Sequence, residues 1–167
     1  LFLNMLPRVA ELLARDSSYS NLLKQAIVEA GLSREQIVME LVELHASDEN
    51  FLCQASHHLR DCGYVLAIDD YGVDASTIER VKCVRPNIIK IDRSLLLRYE
   101  KGDFDCLDEA LALAKDMHSQ TVIEGIETEH QLTLMKRLGF DMYQGYLLAI
   151  PQTLEAHQKT KTKTKVT

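Results

Sequence analysis

Two adjacent carboxylates, Asp69 and Asp70, end the apolar run Tyr64-Val65-Leu66-Ala67-Ile68 and are followed at once by Tyr71-Gly72. Charges at the end of a buried strand are tolerated when they are paired or coordinate a metal. The pattern recurs along the chain. Phe2-Leu3 ends at Asn4, and Ile37-Val38-Met39 reaches Glu40, with Glu43 one helical turn on. Ile88-Ile89 reaches Lys90 and then Asp92, Val122-Ile123 ends at Glu124 with Glu127 following, and a last run gives Gln144. Carboxylates combined with an amide oxygen are hard ligands suited to Mg²⁺ or Mn²⁺. Paired carboxylates can bridge two ions about 3.5–4 Å apart, which activate water and stabilise phosphate oxygens. Lys90 could orient that water or offset phosphate charge, and Gln144 could donate a hydrogen bond to substrate. Each residue taken singly also has an ordinary reading. Asp69-Asp70 could cap a helix or sit in a turn, Lys90 could be an ion-paired lysine, Glu43 and Glu127 salt-bridge partners, and Asn4 a turn residue. Recurrence at the same end of successive apolar runs favours one shared site.

The elements that must position these residues alternate. Pro7 suits the start of a helix, and residues 19–30 read as a second helix stopped by Gly31. Strands are expected at 37–41, 64–68, 88–91, 121–123 and 140–143, after an opening strand at Phe2-Leu3. Between them, helices are expected at 48–62, 75–84, 103–118 and 129–138. Pro86 ends the second of these, because the residue before a proline avoids the helical region. Leu107, Ala110, Leu111 and Ala114 mark the third by their helical spacing. Gly31-Leu32, Gly63-Tyr64 and Gly139-Phe140 repeat one signature, a glycine closing a helix before an apolar residue starts a strand. This grammar predicts an α/β fold, a TIM-like parallel (β/α) barrel arrangement with about six strand–helix units. In such a barrel the C-terminal strand ends converge on one mouth. Residues 1–157 are expected to form the barrel domain, and 158–167, a Lys/Thr repeat, a disordered tail.

Composition narrows the possibilities. The 167 residues are 46% hydrophobic, enough for one domain with a core. The net charge is −6, and without Lys159, Lys161, Lys163 and Lys165 in the tail it falls to −10. An acidic body argues against binding a nucleic-acid polymer and suits a site that collects divalent cations. No apolar run is long enough to span a membrane and no signal peptide is visible, so a cytoplasmic domain is expected. Cys53, Cys62, Cys83 and Cys106 lack zinc-site spacing and read as ordinary buried thiols in a reducing compartment. The histidines are scattered and are assigned no ligand role. The opening Leu1-Phe2-Leu3-Asn4 reads like the interior of a longer protein. On chemistry alone, another Mg²⁺-dependent barrel enzyme remains open.

The ordered set resembles the EAL family, phosphodiesterases of the bacterial second messenger cyclic di-GMP. Asn4 in Phe2-Leu3-Asn4-Met5-Leu6-Pro7 is similar to the family's asparagine strand, and Glu40-Leu41-Val42-Glu43 to its Glu-Leu-Thr-Glu. Asp69-Asp70-Tyr71-Gly72 is similar to Asp-Asp-Phe-Gly, and Lys90-Ile91-Asp92 to Lys-Ile-Asp. Glu124-Gly125-Ile126-Glu127 is similar to Glu-Gly-Val-Glu, and Gln144-Gly145-Tyr146 to Gln-Gly-Tyr. The resemblance spans Phe2 to about Pro151. It implies two Mg²⁺ or Mn²⁺ ions, one held by Asn4, Glu40 and Asp69, the other by Asp69, Asp70 and Glu124. It implies that Lys90 contacts the attacking water, that Gln144 lines the substrate phosphate, and that Glu43 anchors the loop starting at Tyr71. The implied reaction opens one phosphodiester of cyclic di-GMP to give linear pGpG. The implied partners are cyclic di-GMP, a second copy in a homodimer, and upstream sensory or GGDEF domains.

Two departures shape the expectation. The Glu-Ala-Leu strand and the strand before it are absent, so the resemblance implies a TIM-like (β/α) barrel incomplete at its N-terminus, without one metal-ligating glutamate and with the Asn4 strand as an open edge. Val73-Asp74 stands where the family carries Thr or Ser and then Gly, a position where glycine permits backbone angles that cost aspartate more. As given, the chain is expected to hydrolyse cyclic di-GMP poorly or not at all. The alternative is a catalytically inactive EAL-like domain that acts as a cyclic di-GMP receptor or protein-interaction module.

Overall fold

Every apolar run that ends in a polar residue becomes a strand, and the chain crosses from each strand to the next through at least one helix. The computed structural model describes residues 1–42, 49–73 and 77–153. Glu43, Asp74 and the Lys/Thr tail lie outside the described residues. The strands are β1 (Phe2–Met5), β2 (Val38–Leu41), β3 (Val65–Tyr71), β4 (Ile88–Ile91), β5 (Gln120–Ile123) and β6 (Met142–Tyr143). They form one sheet, all parallel, in the order β1 to β6. The connections run through α1 (Pro7–Arg15) and α2 (Ser17–Glu29), α3 (Glu49–Asp61), α4 (Ile78–Val84), α5 (Arg93–Glu100) and α6 (Asp105–Met117), and α7 (Glu129–Leu138). The described residues thus form the expected α/β fold, an arc of six parallel strands with crossover helices.

Parallel strands covered by crossover helices are buried on both faces, and the register sorts the side chains accordingly. Leu3, Met39, Leu66, Ile89 and Ile123 fall on the face packed by helices, in the main core. Val38, Val65, Ala67, Ile88, Val122 and Met142 fall on the other face and form a second, smaller apolar cluster inside the arc. Two residues further along the same strands, with side chains on that same inner face, come Glu40, Asp69, Lys90, Glu124 and Gln144. The small cluster is therefore the floor of the polar mouth.

Local chemistry starts the helices that feed this arrangement. Asp92 accepts a hydrogen bond from the Ser94 N–H at 2.8 Å and caps α5, a helix the sequence pattern did not predict. Thr77 caps α4, and Thr128 with Gln131 makes a capping box on α7. At the far end of α4, Arg85 takes a left-handed conformation (φ 50°) directly before Pro86. Helix and strand limits otherwise shift by a few residues from the expected ones. The largest change is in β3, which runs on through Asp69 and Asp70 to Tyr71 rather than stopping at Ile68.

The cysteines correct the sequence reading. Cys53 on α3 and Cys83 on α4 are joined as a disulfide rather than being separate buried thiols. Adjacent crossover helices bring them together across 30 residues of chain, which no local spacing reveals. Cys62 and Cys106 are free, and Cys106 is buried.

Candidate metal centre

Asp69 and Asp70 are neighbours, and in a regular strand neighbours point to opposite faces. β3 avoids this with a bulge. Ile68 pairs with Ile89 and Tyr71 with Ile91, so Asp69 and Asp70 together stand against the single residue Lys90. Asp70 takes φ 50°, the left-handed region that aspartate visits more readily than most residues. Bulges re-aim side chains in this way beside active sites. The result is a cluster in which one carboxylate oxygen each from Asp69, Asp70 and Glu124 lies within 4.8 Å of the others.

Lys90 sits among these acids on the central strand, 6% exposed. Its Nζ donates to Asp69 Oδ1 at 2.6 Å, lies 2.7 Å from Glu124 Oε1, and also donates to Glu40 Oε1. Burial alone would push the ammonium toward neutrality, but the bonds to Asp69, Glu124 and Glu40 outweigh it and hold Lys90 protonated well above the ordinary lysine range. One ammonium does not neutralise four carboxylates. Burial raises the Glu40 carboxyl, helped by Asp69 and opposed by Lys90. Burial also raises Asp70, to about 6, and the charges of Asp69, Glu124 and Asp92 add to it. Glu124 Oε1 is buried, and the Lys90 ammonium 2.7 Å away is its ion-pair partner. Excess negative charge and a hard all-oxygen donor set fit a divalent cation.

The remaining residues lie around this cluster. Asn4 stands opposite Glu40 in the β1–β2 register, exposed on the edge strand. Gln144 follows β6, with its backbone N–H bonded to the Ile123 carbonyl at 2.9 Å, and its side chain is exposed at the rim. A cavity of about 260 Å³ opens beside the acids, lined by Arg93, Glu124, Glu127, Gln144 and Tyr146 among others. Arg93 and Tyr146 were not singled out as site residues. Arg93 Nη2 donates to Glu127 Oε2 at 2.7 Å, and its stem lies over Gly125, where any Cβ would collide with it. The available signal for Arg93 was its place directly after Lys90-Ile91-Asp92, and the missing step was the helix that Asp92 caps.

Polar residues at the C-terminal strand ends of a parallel arc, with an acidic cluster at their centre, define a barrel domain built to hold hard cations. Residues 5–151 match the family model of the EAL domain, and the chain belongs to that family. It is 30% identical over 128 residues to the probable cyclic di-GMP phosphodiesterase PdeD of Escherichia coli, covering 75% of this chain and 24% of that protein. Among solved structures it is similar to the EAL domain of Mycobacterium smegmatis DcpA, with TM-score 0.81 and 28% identity, covering 98% of this chain and 73% of that one. It is also similar to the Bacillus subtilis YkuI protein, solved with cyclic di-GMP and calcium, with TM-score 0.74 and 25% identity over 98% of this chain and 45% of that one. The chain spans 17% to 24% of the length of the first curated relatives it matches. Among the described residues, no helix is long and apolar enough to cross a membrane.

Proposed function

We propose that this chain is part of a cyclic di-GMP phosphodiesterase domain, whose reaction cleaves the cyclic dinucleotide to linear pGpG with two Mg²⁺ or Mn²⁺ ions, and that the chain as given, without the Glu-Ala-Leu strand, turns over weakly or not at all. The observation that carries the reading is the convergence of Asp69, Asp70 and Glu124 oxygens within 4.8 Å beside a buried lysine. The relatives named for this activity, and the YkuI complex with cyclic di-GMP and calcium, support it.

Asp69, Asp70 and Glu124 would hold one ion, and Asn4, Glu40 and Asp69 the other. Bound there, the ions would supply Lewis acidity toward phosphate oxygens and an acidified water. Lys90 keeps the acids from repelling one another and presents its N–H groups at the reacting end of the mouth. Held beside Glu40, Asp69 and Glu124, it is placed to orient the attacking water. Gln144, at the cavity rim, can donate to a phosphate oxygen. The Arg93–Glu127 pair and Tyr146 give the cavity polar and aromatic walls for the body of a nucleotide. Homodimerisation, attachment to sensory or GGDEF domains and a cytoplasmic setting belong to the same proposal.

The test is conversion of cyclic di-GMP to pGpG followed by chromatography with Mg²⁺ or Mn²⁺. Turnover is expected to be weak or absent in the chain as given, to depend on metal in a longer form with the Glu-Ala-Leu strand restored, and to vanish there in Asp69→Asn. A second reading, cyclic di-GMP binding without cleavage, is favoured by the hold of Lys90 on Glu40, which ties up a ligand of one ion. Titration calorimetry showing nucleotide binding by a chain that gives no pGpG would select it.

A further inference from the structure

Outside the mouth, α3 and α4 meet along a seam of contacts at regular spacing. Cys53 is bonded to Cys83 with Cα atoms 5.3 Å apart, well within the range a disulfide requires. One turn on, the His57 ring nitrogen Nε2 lies 2.9 Å from the Cys83 carbonyl oxygen, and a further turn on Arg60 donates to the Arg85 carbonyl. Positions 53, 57 and 60 lie on one stripe of a helix. The neighbouring stripe of α3, Leu52, Ala55, Ser56 and Leu59, is buried at 2% exposure or less. Core packing together with the His57 and Arg60 contacts therefore keeps the two sulfurs opposed whether or not they are bonded. Both cysteines are half-buried, so small reagents reach them. Neither belongs to the metal centre. The helices they join follow β2 and β3, the strands that carry Glu40, Asp69 and Asp70.

We propose that Cys53 and Cys83 are a redox modification site, a dithiol converted reversibly to the cross-link by a low-molecular-weight disulfide such as oxidised glutathione. The thiolate of one cysteine attacks a sulfur of the small disulfide, forming a mixed disulfide and releasing one small thiolate. The thiolate of the second cysteine attacks the protein sulfur of that mixed disulfide and releases the other. The two protein thiols lose two electrons and two protons, and one small disulfide becomes two thiols. In a reducing compartment such pairs are as a rule transient and responsive. The cross-link constrains a long loop of the unfolded chain, so the oxidised form is the more stable.

The experiment equilibrates the full chain in mixtures of reduced and oxidised glutathione, quenches with acid, alkylates free thiols and maps the peptides by mass. A single cross-linked pair, 53–83, is expected, reversed by added reductant, with Cys62 and Cys106 alkylated throughout. The melting temperature of the oxidised form is expected to exceed that of the reduced form by roughly 5–10 °C. That difference should vanish in both Cys53→Ser and Cys83→Ser. Full alkylation of Cys53 and Cys83 in the most oxidising mixture would overturn the proposal. So would a cross-link to Cys62, or equal melting temperatures for the two forms of the unsubstituted chain.

Discussion

Asp70 holds its charge at a cost, and the cost has a pH signature. An unfolded aspartate ionises near 3.8, whereas Asp70 in the fold ionises near 6 because it is buried and faces Asp69, Glu124 and Asp92. Between those values the folded protein binds more protons than the unfolded one, so this group makes the metal-free fold less stable as pH rises through the window. Asp70→Asn keeps the shape and tolerates the left-handed backbone. It is expected to raise the metal-free melting temperature by roughly 3 °C at pH 7.5, about 1 kcal/mol after discounting for solvent screening, and hardly at all at pH 4. Calorimetry of Mn²⁺ binding should show affinity falling below about pH 6 in the unsubstituted chain, where protons compete for Asp70. Lys90 has the opposite role. Lys90→Met leaves Glu40, Asp69 and Glu124 without their shared ammonium, and is expected to destabilise the metal-free protein by about 3 kcal/mol. Urea unfolding measures that loss, and saturating Mn²⁺ should restore part of it.

At the scale of elements, the mouth depends on how closely its loops approach. Gly145 lies against the backbone of Ile126, so a Cβ there would strike main-chain atoms that have no rotamer to escape into. Gly145→Ala must push the segment after β6 away from the segment after β5, the two that carry Gln144 and Glu124. The expected cost is about 1–3 kcal/mol in denaturant unfolding, with weaker cyclic di-GMP binding in calorimetry. The bulge in β3 is an element-scale device of the same kind. It brings two consecutive residues, which a straight strand would divide between core and mouth, to one side as two carboxylates.

For the molecule as a whole, the arc has edges at β1 and β6, and among the described residues nothing pairs with the outer side of β1. Leu1 and Phe2 at β1, and Leu6, Val9 and Leu12 in the turn and helix that follow it, are exposed. An uncovered edge with apolar neighbours favours pairing with another chain. Sedimentation velocity is expected to show concentration-dependent association, and Phe2→Lys to reduce it, since a charge on an edge strand opposes such pairing.

The order of the polar residues at the ends of apolar runs was enough to determine the parallel α/β fold, the mouth and its acidic chemistry. Those properties follow from strand periodicity and from the burial of both sheet faces, and both are written in the sequence. Helix 93–100 was missed because its start is a single capping aspartate that also reads as a strand end. Tertiary structure alone decided the rest. It showed that Asp69 and Asp70 share a side, because the bulge depends on the register of β3 against β4. It placed Lys90 among three acids, Glu40 on β2, Asp69 on β3 and Glu124 just after β5. It paired Cys53 with Cys83, because two successive crossover helices lie side by side. Each of these is a relation between segments, and it exists only once the chain has packed.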